Sequence, residues 1–293
     1  MGIRGVWTYF HRSFNSVDPC KIEPLTLGID MFSLVYTHRE SLDELLNKIK
    51  GWSDHGHKIT CVWDGTAPQE KQQIIEERRT NRNTAKEKKG ELEEYLKEYG
   101  NELELEDLTK IQSAIDSLSW KSWHLTGTLK REIQTTLGPD ILHVFAAGEA
   151  DDVLIEMIFE KKVDVVLSLD SDIFAMGAPR IWRLMHQKGK WLTEDINVEQ
   201  VCNEWGITLS ILQDASCLAG WDRCHPKGPP KGQEFVPFSK ALSLVKFYGK
   251  LNAVIDKNPE MAVSQGQEAL VNLRQLKAES KERWLKILAN AKS

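Results

Sequence analysis

Three short apolar segments of this chain each run straight into an aspartate, and that pattern limits what the chain can fold into more than any other feature. Residues 25–29 precede Asp30, residues 59–63 precede Asp64, and residues 163–169 precede Asp170. Apolar, β-rich runs of this length read as buried strands. Long helical stretches separate them, which predicts α/β topology with a mainly parallel sheet. A fourth strand is expected over residues 141–145, leading into the Glu149 segment. In open α/β sheets ligands bind beyond the carboxyl ends of the strands, so Asp30, Asp64 and Asp170 are expected on one rim.

Further acids join these three. Asp172 lies two residues after Asp170, and in an extended segment residues i and i+2 face the same way. Glu149 and Asp151 have the same spacing within Ala-Gly-Glu-Ala-Asp-Asp, where a helix is expected to begin. Clustered carboxylates raise one another's pKa unless cations offset them. Hard oxygen ligands suit Mg²⁺, with Mn²⁺ as a substitute. Two such ions a few Å apart form the clamp used for in-line phosphoryl displacement. A single aspartate is more often a helix cap or a surface charge. Three strand-end aspartates together with two acid pairs favour the metal reading.

Charge balance has to be weighed against that reading. The net charge of −5 argues against a nucleic-acid partner, except that bound cations would offset acids gathered in one site. Positive charge is also concentrated locally. Lys71, Arg78, Arg79, Arg82, Lys86, Lys88 and Lys89 lie in a charged segment, residues 68–137, that reads as a helical insertion. Positions 71, 78, 82, 86 and 89 can share one helical face. The plainer reading is a solvated face balanced by Glu76, Glu77 and Glu87. Lys227, Lys231, Lys240, Lys246 and Lys250 form a second basic region around a Gly/Pro-rich loop, residues 226–232. Trp120 and Trp123 are expected to pack the insertion, and His55 and His57 to occupy a turn. Residues 267–293 read as an amphipathic helix.

Five cysteines without a CxxC pair imply reduced thiols, and Cys217, Cys224 and His225 lack a second ligand pair for zinc. The chain opens without a signal-peptide pattern and holds no apolar run of about 18 residues. An intracellular location is expected, nuclear or cytoplasmic, with no secretion and no membrane partner.

Over roughly residues 1–250 the chain resembles the flap endonuclease / XPG nucleases. MGIRGVW is similar to the family's start, which puts Gly2 beside the active site. LGIDMFSLVY resembles the block with the first metal-site aspartate and a stacking tyrosine, here Asp30 and Tyr36. VWDGTAPQEKQQIIEERR resembles the block with the next metal-site aspartate, Asp64, and an active-site Lys and Arg, here Lys71 and Arg78. AAGEADD implies Glu149 and Asp151, LSLDSDIFAMGAP implies Asp170 and Asp172, and CLAGWD implies Asp222 as the last metal-site acid.

The resemblance implies a PIN-like three-layer α/β domain from residues 1–67 and 138–205. It also implies a helical arch over residues 68–137, and a helical region over residues 206–293 with a motif like a helix–two-turn–helix. The implied enzyme is a magnesium-dependent structure-specific 5′ nuclease with two metal ions. Lys71 and Arg78 would stabilise the scissile phosphate. Gly2, Tyr36, Arg79, Arg82, Lys227 and Lys231 would contact nucleic acid, with a monovalent cation in the loop of residues 224–232. The implied partner is flap, nicked or branched DNA in replication, repair or recombination. RNA, cut by an endoribonuclease of the same fold, and an inactive binding scaffold remain alternatives. The chain departs from the family pattern in five ways, the first being that HPKGPPKGQ only loosely resembles the family's Gly-x-Gly hairpin. Asp151 stands where Glu is usual, with Asp152 as an extra acid. Ala147 replaces a usual Pro. The stretch between Asp30 and Asp64 is short, and no sliding-clamp box is recognisable.

Overall fold

The computed structural model describes residues 2–67, 69–225, 235–258 and 269–283. The chain divides into two compact units. Met1–Ala67 with Arg131–Ser293 forms the first, and Pro68–Lys130 forms the second.

The first unit is built on a seven-stranded sheet. Its strands are β1 (Asn15–Val17), β2 (Thr26–Asp30), β3 (Lys58–Trp63), β4 (Leu142–Phe145), β5 (Val165–Leu167), β6 (Arg180–Gln187) and β7 (Lys190–Asn197). Their spatial order is β1-β7-β6-β5-β2-β3-β4. Neighbours from β6 to β4 run parallel, whereas β7 pairs antiparallel with both β6 and β1. The chain adds β3 and β4 on one side of β2, then crosses to add β5 and β6 on the other. The order therefore reverses between β2 and β5, where α/β sheets open a crevice at their carboxyl ends.

The helices are α1 (Val6–Phe10), α2 (Met31–Thr37), α3 (Leu42–Asp54), α4 (Gln72–Tyr99), α5 (Leu105–Ser122), α6 (Gly127–Leu137), α7 (Ala150–Phe159), α8 (Asp172–Ala175), α9 (Val198–Glu204), α10 (Leu209–Leu218), α11 (Phe238–Tyr248) and α12 (Leu251–Lys257). Residues 269–283 are also helical. Helix α7 lies directly on β2, because a Cβ at Gly28 would come within 2.8 Å of Leu154. Leu27 and Ile29 alternate to the opposite face and are fully buried. On that face α3 supplies Leu45, Leu46, Ile49 and Trp52, and the Trp52 ring meets Trp182 of β6 edge-on at 6.4 Å. A strand buried on both faces needs near-continuous apolar sequence, which is why β2, β3 and β5 stand out in the sequence.

The expected segment over residues 163–169 shortens to β5. Beyond Leu167 the backbone turns to side-chain partners: Leu169 N–H donates to Ser33 Oγ and Asp170 N–H to Ser168 Oγ. The β6–β7 hairpin was not anticipated from the sequence. It turns on Lys188 and Gly189, both at positive φ, in the two-residue geometry that matches strand twist. Arg183 pairs with Glu194 directly across it at 2.6 Å.

The second unit contains α4 and α5 packed on each other. Helix α4 is one continuous run of 28 residues, longer than the helical spacing over residues 87–99 predicts. Only Ala85 and Ile115 are buried among this unit's described residues. Several of its ion pairs are exposed and local: Arg79–Glu76 at 3.9 Å, Lys89–Glu93 at 3.4 Å and Lys110–Glu106 at 2.7 Å. Each is worth about 0.5 kcal/mol or less.

Candidate active site

Asp30 closes β2 and opens α2. Its Oδ1 accepts the Ser33 N–H at 3.1 Å and its Oδ2 accepts the Ser168 hydroxyl at 2.8 Å. Burial nevertheless dominates these bonds. With the nearby charge of Asp64 it pushes the Asp30 carboxyl up to about 6. Asp64 follows β3, and its Oδ1 accepts the Ala150 N–H at 2.7 Å. That bond ties the end of β3 to the start of α7. Gly65 and Thr66 also donate to the carbonyls of Gly148 and Ala147, at 2.8 and 3.1 Å. A side chain at Gly65 would strike the Ala146 carbonyl, so this join requires glycine.

Asp151 sits in the first turn of α7. Burial raises its pKa well above the usual carboxylate range, and the charges of Asp30, Asp170 and Asp64 raise it further. Asp172 is affected likewise, by burial first and then by Asp170, Asp222 and Asp151. Asp30, Asp64, Asp151, Asp170, Asp172 and Asp222 thus act on one another at the carboxyl ends of β2, β3 and β5. One detail differs from the sequence reading. Asp170 and Asp172 do not lie in an extended segment. They flank a strand-to-helix turn, in which Asp172 starts α8 and its N–H donates to Asp170 Oδ1 at 3.2 Å.

Glu149 occupies the cap position of α7, where its carboxylate lies 3.5 Å from Arg223. Arg223 also pairs with Asp152 at 2.7 Å. Asp152 therefore faces Arg223, while Asp151 faces the other acids. Gly2 lies against Asp170 and Ser171 so closely that any side chain would collide with both. The N-terminus is held there by Trp7 Nε1–H, which donates to the Leu169 carbonyl at 2.9 Å, and by the Ser171 hydroxyl, which donates to the Ile3 carbonyl. A cleft of about 810 Å³ opens beside Gly2, lined by Arg4, Arg12, Tyr9 and Trp205 among others.

The remaining candidates are scattered. Tyr36 on α2 is half-buried, with its ring 4.4 Å from exposed Phe32. Lys71 stands at the cap of α4 and Arg78, Arg79 and Arg82 along its N-terminal half, all in the second unit. Lys227, Lys231 and most of the 224–232 loop lie outside the described residues. His57 follows the turn before β3 and is buried. Its Nδ1 accepts the Leu25 N–H at 3.0 Å and its Nε2 reaches the Pro19 carbonyl at 2.8 Å, so both nitrogens serve the backbone. Asp214 on α10 pairs with Lys277 at 2.6 Å and accepts the Leu251 N–H, which makes it a structural pin.

Sequence reasoning missed Ser33, Ser168 and Arg223. Serines are too common for their pattern to carry a signal. Arg223 had one, as a cation placed next to the last acid of the series.

The donor set suits a hard divalent cation. It is all carboxylate, three members are pushed toward protonation by burial and mutual repulsion, and Asp172 Oδ1 is buried with no hydrogen-bond donor. Among the described residues no three His, Cys, Asp or Glu side chains enclose a single point suited to an ion. No helix among the described residues is long and apolar enough to cross a membrane.

Residues 140–222 match the XPG I-region family model. That stretch includes Glu149, Asp151, Asp170, Asp172 and Asp222. The chain is 24% identical over 216 residues to Flap endonuclease 1 of Kluyveromyces lactis, covering 73% of this chain and 51% of that protein. It is 28% identical over 210 residues to Flap endonuclease 1 of Haloquadratum walsbyi, covering 71% and 57%. The chain spans about half the length of the curated relatives it matches. Among solved structures, the catalytic core of Rad2 in complex with DNA substrate aligns with a TM-score of 0.57 at 16% identity, covering 96% of this chain and 81% of that one. Flap endonuclease-1 from Methanococcus jannaschii aligns with a TM-score of 0.57 at 18% identity, covering 90% and 81%. Human GEN1 in complex with Holliday junction DNA gives 0.54 at 18%, covering 96% and 63%. These likenesses show a shared fold, the PIN-like α/β architecture.

Proposed function

We propose, from its similarity to the flap endonuclease / XPG nucleases, that this chain is a structure-specific nuclease that hydrolyses phosphodiester bonds in branched or nicked DNA. The observation that carries the reading is the mutual influence of six aspartates on the strand-end rim where the order of the sheet reverses. Such an arrangement is costly to a fold unless it holds cations. Asp30, Asp64, Glu149, Asp151, Asp170, Asp172 and Asp222 would hold Mg²⁺ or Mn²⁺, in part through water. A bound ion of this kind supplies Lewis acidity and an activated water. GEN1 has been solved with product DNA, Mg²⁺ and Mn²⁺, which supports the choice of ion.

The protein's own groups orient the substrate. Gly2 lets the backbone pack directly against Asp170 and Ser171, because nothing larger than hydrogen fits there. Lys71 and Arg78 would stabilise the charge that develops on the scissile phosphate. Tyr36, with Phe32 beside it, offers a stacking surface for an unpaired base. Arg79, Arg82, Lys227 and Lys231 would contact the backbone and position the strand without reading its sequence. Arg4 and Arg12 offer further phosphate contacts in the cleft next to Gly2.

The deciding experiment is a single-turnover cleavage panel in Mg²⁺ with an EDTA control. It compares a 5′-flap DNA, a nicked duplex, single-stranded DNA and RNA of matched sequence. Cleavage of the flap, abolished by EDTA, is the expected result. Cleavage of RNA alone would move the substrate to RNA, and full activity in EDTA would end the metal mechanism.

A further inference from the structure

Arg223 puts a positive charge inside a rim otherwise built of carboxylates. It follows Asp222 directly, and its side chain is only 13% exposed. Its guanidinium lies 2.7 Å from Asp152 and 3.5 Å from Glu149. The carboxylates of Asp152 and Glu149 flank that charge. An arginine does not deprotonate in proteins, so this charge is permanent, unlike that of an ion that exchanges with solvent. Asp152, half exposed to solvent, anchors the guanidinium from the outer side. Glu149 and Asp151 feel it from within the rim.

We propose that Arg223 is a built-in counter-ion of the carboxylate site, which neutralises its Glu149–Asp152 end and limits how tightly that end takes a divalent cation. This rests on the reading of the rim as a metal site. The counter-ion also accounts for the extra acid. Asp152 draws the guanidinium outward, which leaves Asp151 facing the other aspartates.

A merely architectural Arg223 and a counter-ion differ in the sign of one measurement. If Arg223 only braces the carboxylates, removing it disorders them and weakens metal binding. If it is a counter-ion, removing it tightens metal binding. The test is titration of Mn²⁺ into the full chain without nucleic acid. Free Mn²⁺ is followed by electron paramagnetic resonance and binding by calorimetry. Arg223→Gln is expected to tighten the weaker Mn²⁺ site by about threefold to tenfold, the size of one charge acting on a divalent ion across several Å of high-dielectric medium. Arg223→Lys, which keeps the charge, is expected to stay within about twofold of wild type. The double variant Arg223→Gln with Asp152→Asn keeps the net charge and leaves no orphaned partner at that pair. It is expected to fold where the single variant does not, and also to bind more tightly, because Glu149 and Asp151 have still lost their cation. Unchanged or weaker binding by a folded Arg223→Gln or double variant would overturn the proposal. So would an Arg223→Lys that binds as tightly as Arg223→Gln. A wild-type chain that binds no Mn²⁺ is a different failure, and would overturn the metal reading itself.

Discussion

The two units of this chain use charge in opposite ways. In the first, beside exposed local pairs such as Lys21–Asp18, several contacts join a buried or half-buried ionisable group to a residue far away in the sequence. Asp30 meets Ser168, Asp64 meets Ala150, Asp152 meets Arg223, and Asp214 meets Lys277. In the second, charges line solvent-exposed helices and pair with residues three or four positions away. A buried charge costs several kcal/mol unless compensated, so its position is dictated by the whole fold. An exposed charge costs little and contributes little. The acids of the first unit are therefore expected to be sensitive to any change in partner or proton. The bases of the second matter only where they touch a substrate.

The strongest way to break this contrast is to remove an acid from the rim. Asp172→Asn is expected to lower single-turnover cleavage by about 10³-fold or more, the loss of several kcal/mol of transition-state stabilisation. Its melting temperature in EDTA should equal or exceed that of wild type, because a buried carboxylate under repulsion has been neutralised. Cleavage at wild-type rate would remove Asp172 from the chemistry.

Next come the bases of α4. Lys71→Ala and Arg78→Ala should each slow cleavage by about 10²-fold, as expected for one electrophilic donor, in proteins that stay folded. Lys88→Ala, exposed on the same helix, should leave the rate within about twofold. Equal slowing by all three would mean that general charge, not placement, carries the effect.

Stability separates the units more directly. Lys277→Ala strands Asp214 in the core and should cost about 3 kcal/mol in denaturant unfolding. Lys110→Ala breaks a pair of similar length, 2.7 Å, on an exposed helix and should cost about 0.5 kcal/mol or less. Similar costs would show that burial does not set the value of these pairs.

The smallest effect concerns pH. The Asp30 carboxyl is raised from 3.8 to about 6, and those of Asp151 and Asp172 are raised as well. These groups hold protons more tightly folded than unfolded. Stability in EDTA should therefore fall as pH rises from 3.8 through about 6 and onward toward neutrality. Scanning calorimetry between pH 5 and 7 is expected to show a melting temperature lower by about 2–4 °C at the upper end. Mg²⁺ should flatten the slope by competing with the protons. A melting temperature that rises with pH in EDTA would contradict the buried-acid account.

Much of this was legible in the amino-acid order, and the reason is periodicity. β2, β3 and β5 are buried on both faces, so their sequences are near-continuous apolar runs and the aspartate following each one marks the rim. The long α4–α5 segment announced itself by charge and helical spacing. The β6–β7 hairpin did not, because Arg180, Arg183, Glu194 and Asp195 break its apolar pattern and are satisfied only across the strands.

What the sequence by itself determined was the set of acids and the strand ends that carry them, since each depends on a few consecutive residues. Only the tertiary structure decided which acids press on one another, that Asp152 turns to Arg223 while Asp151 turns inward, and that Gly2 must lack a side chain beside Asp170. Those outcomes depend on burial and on contacts between residues distant in the chain, 71 positions for Asp152 and Arg223 and 138 for Asp30 and Ser168, and no local pattern encodes them.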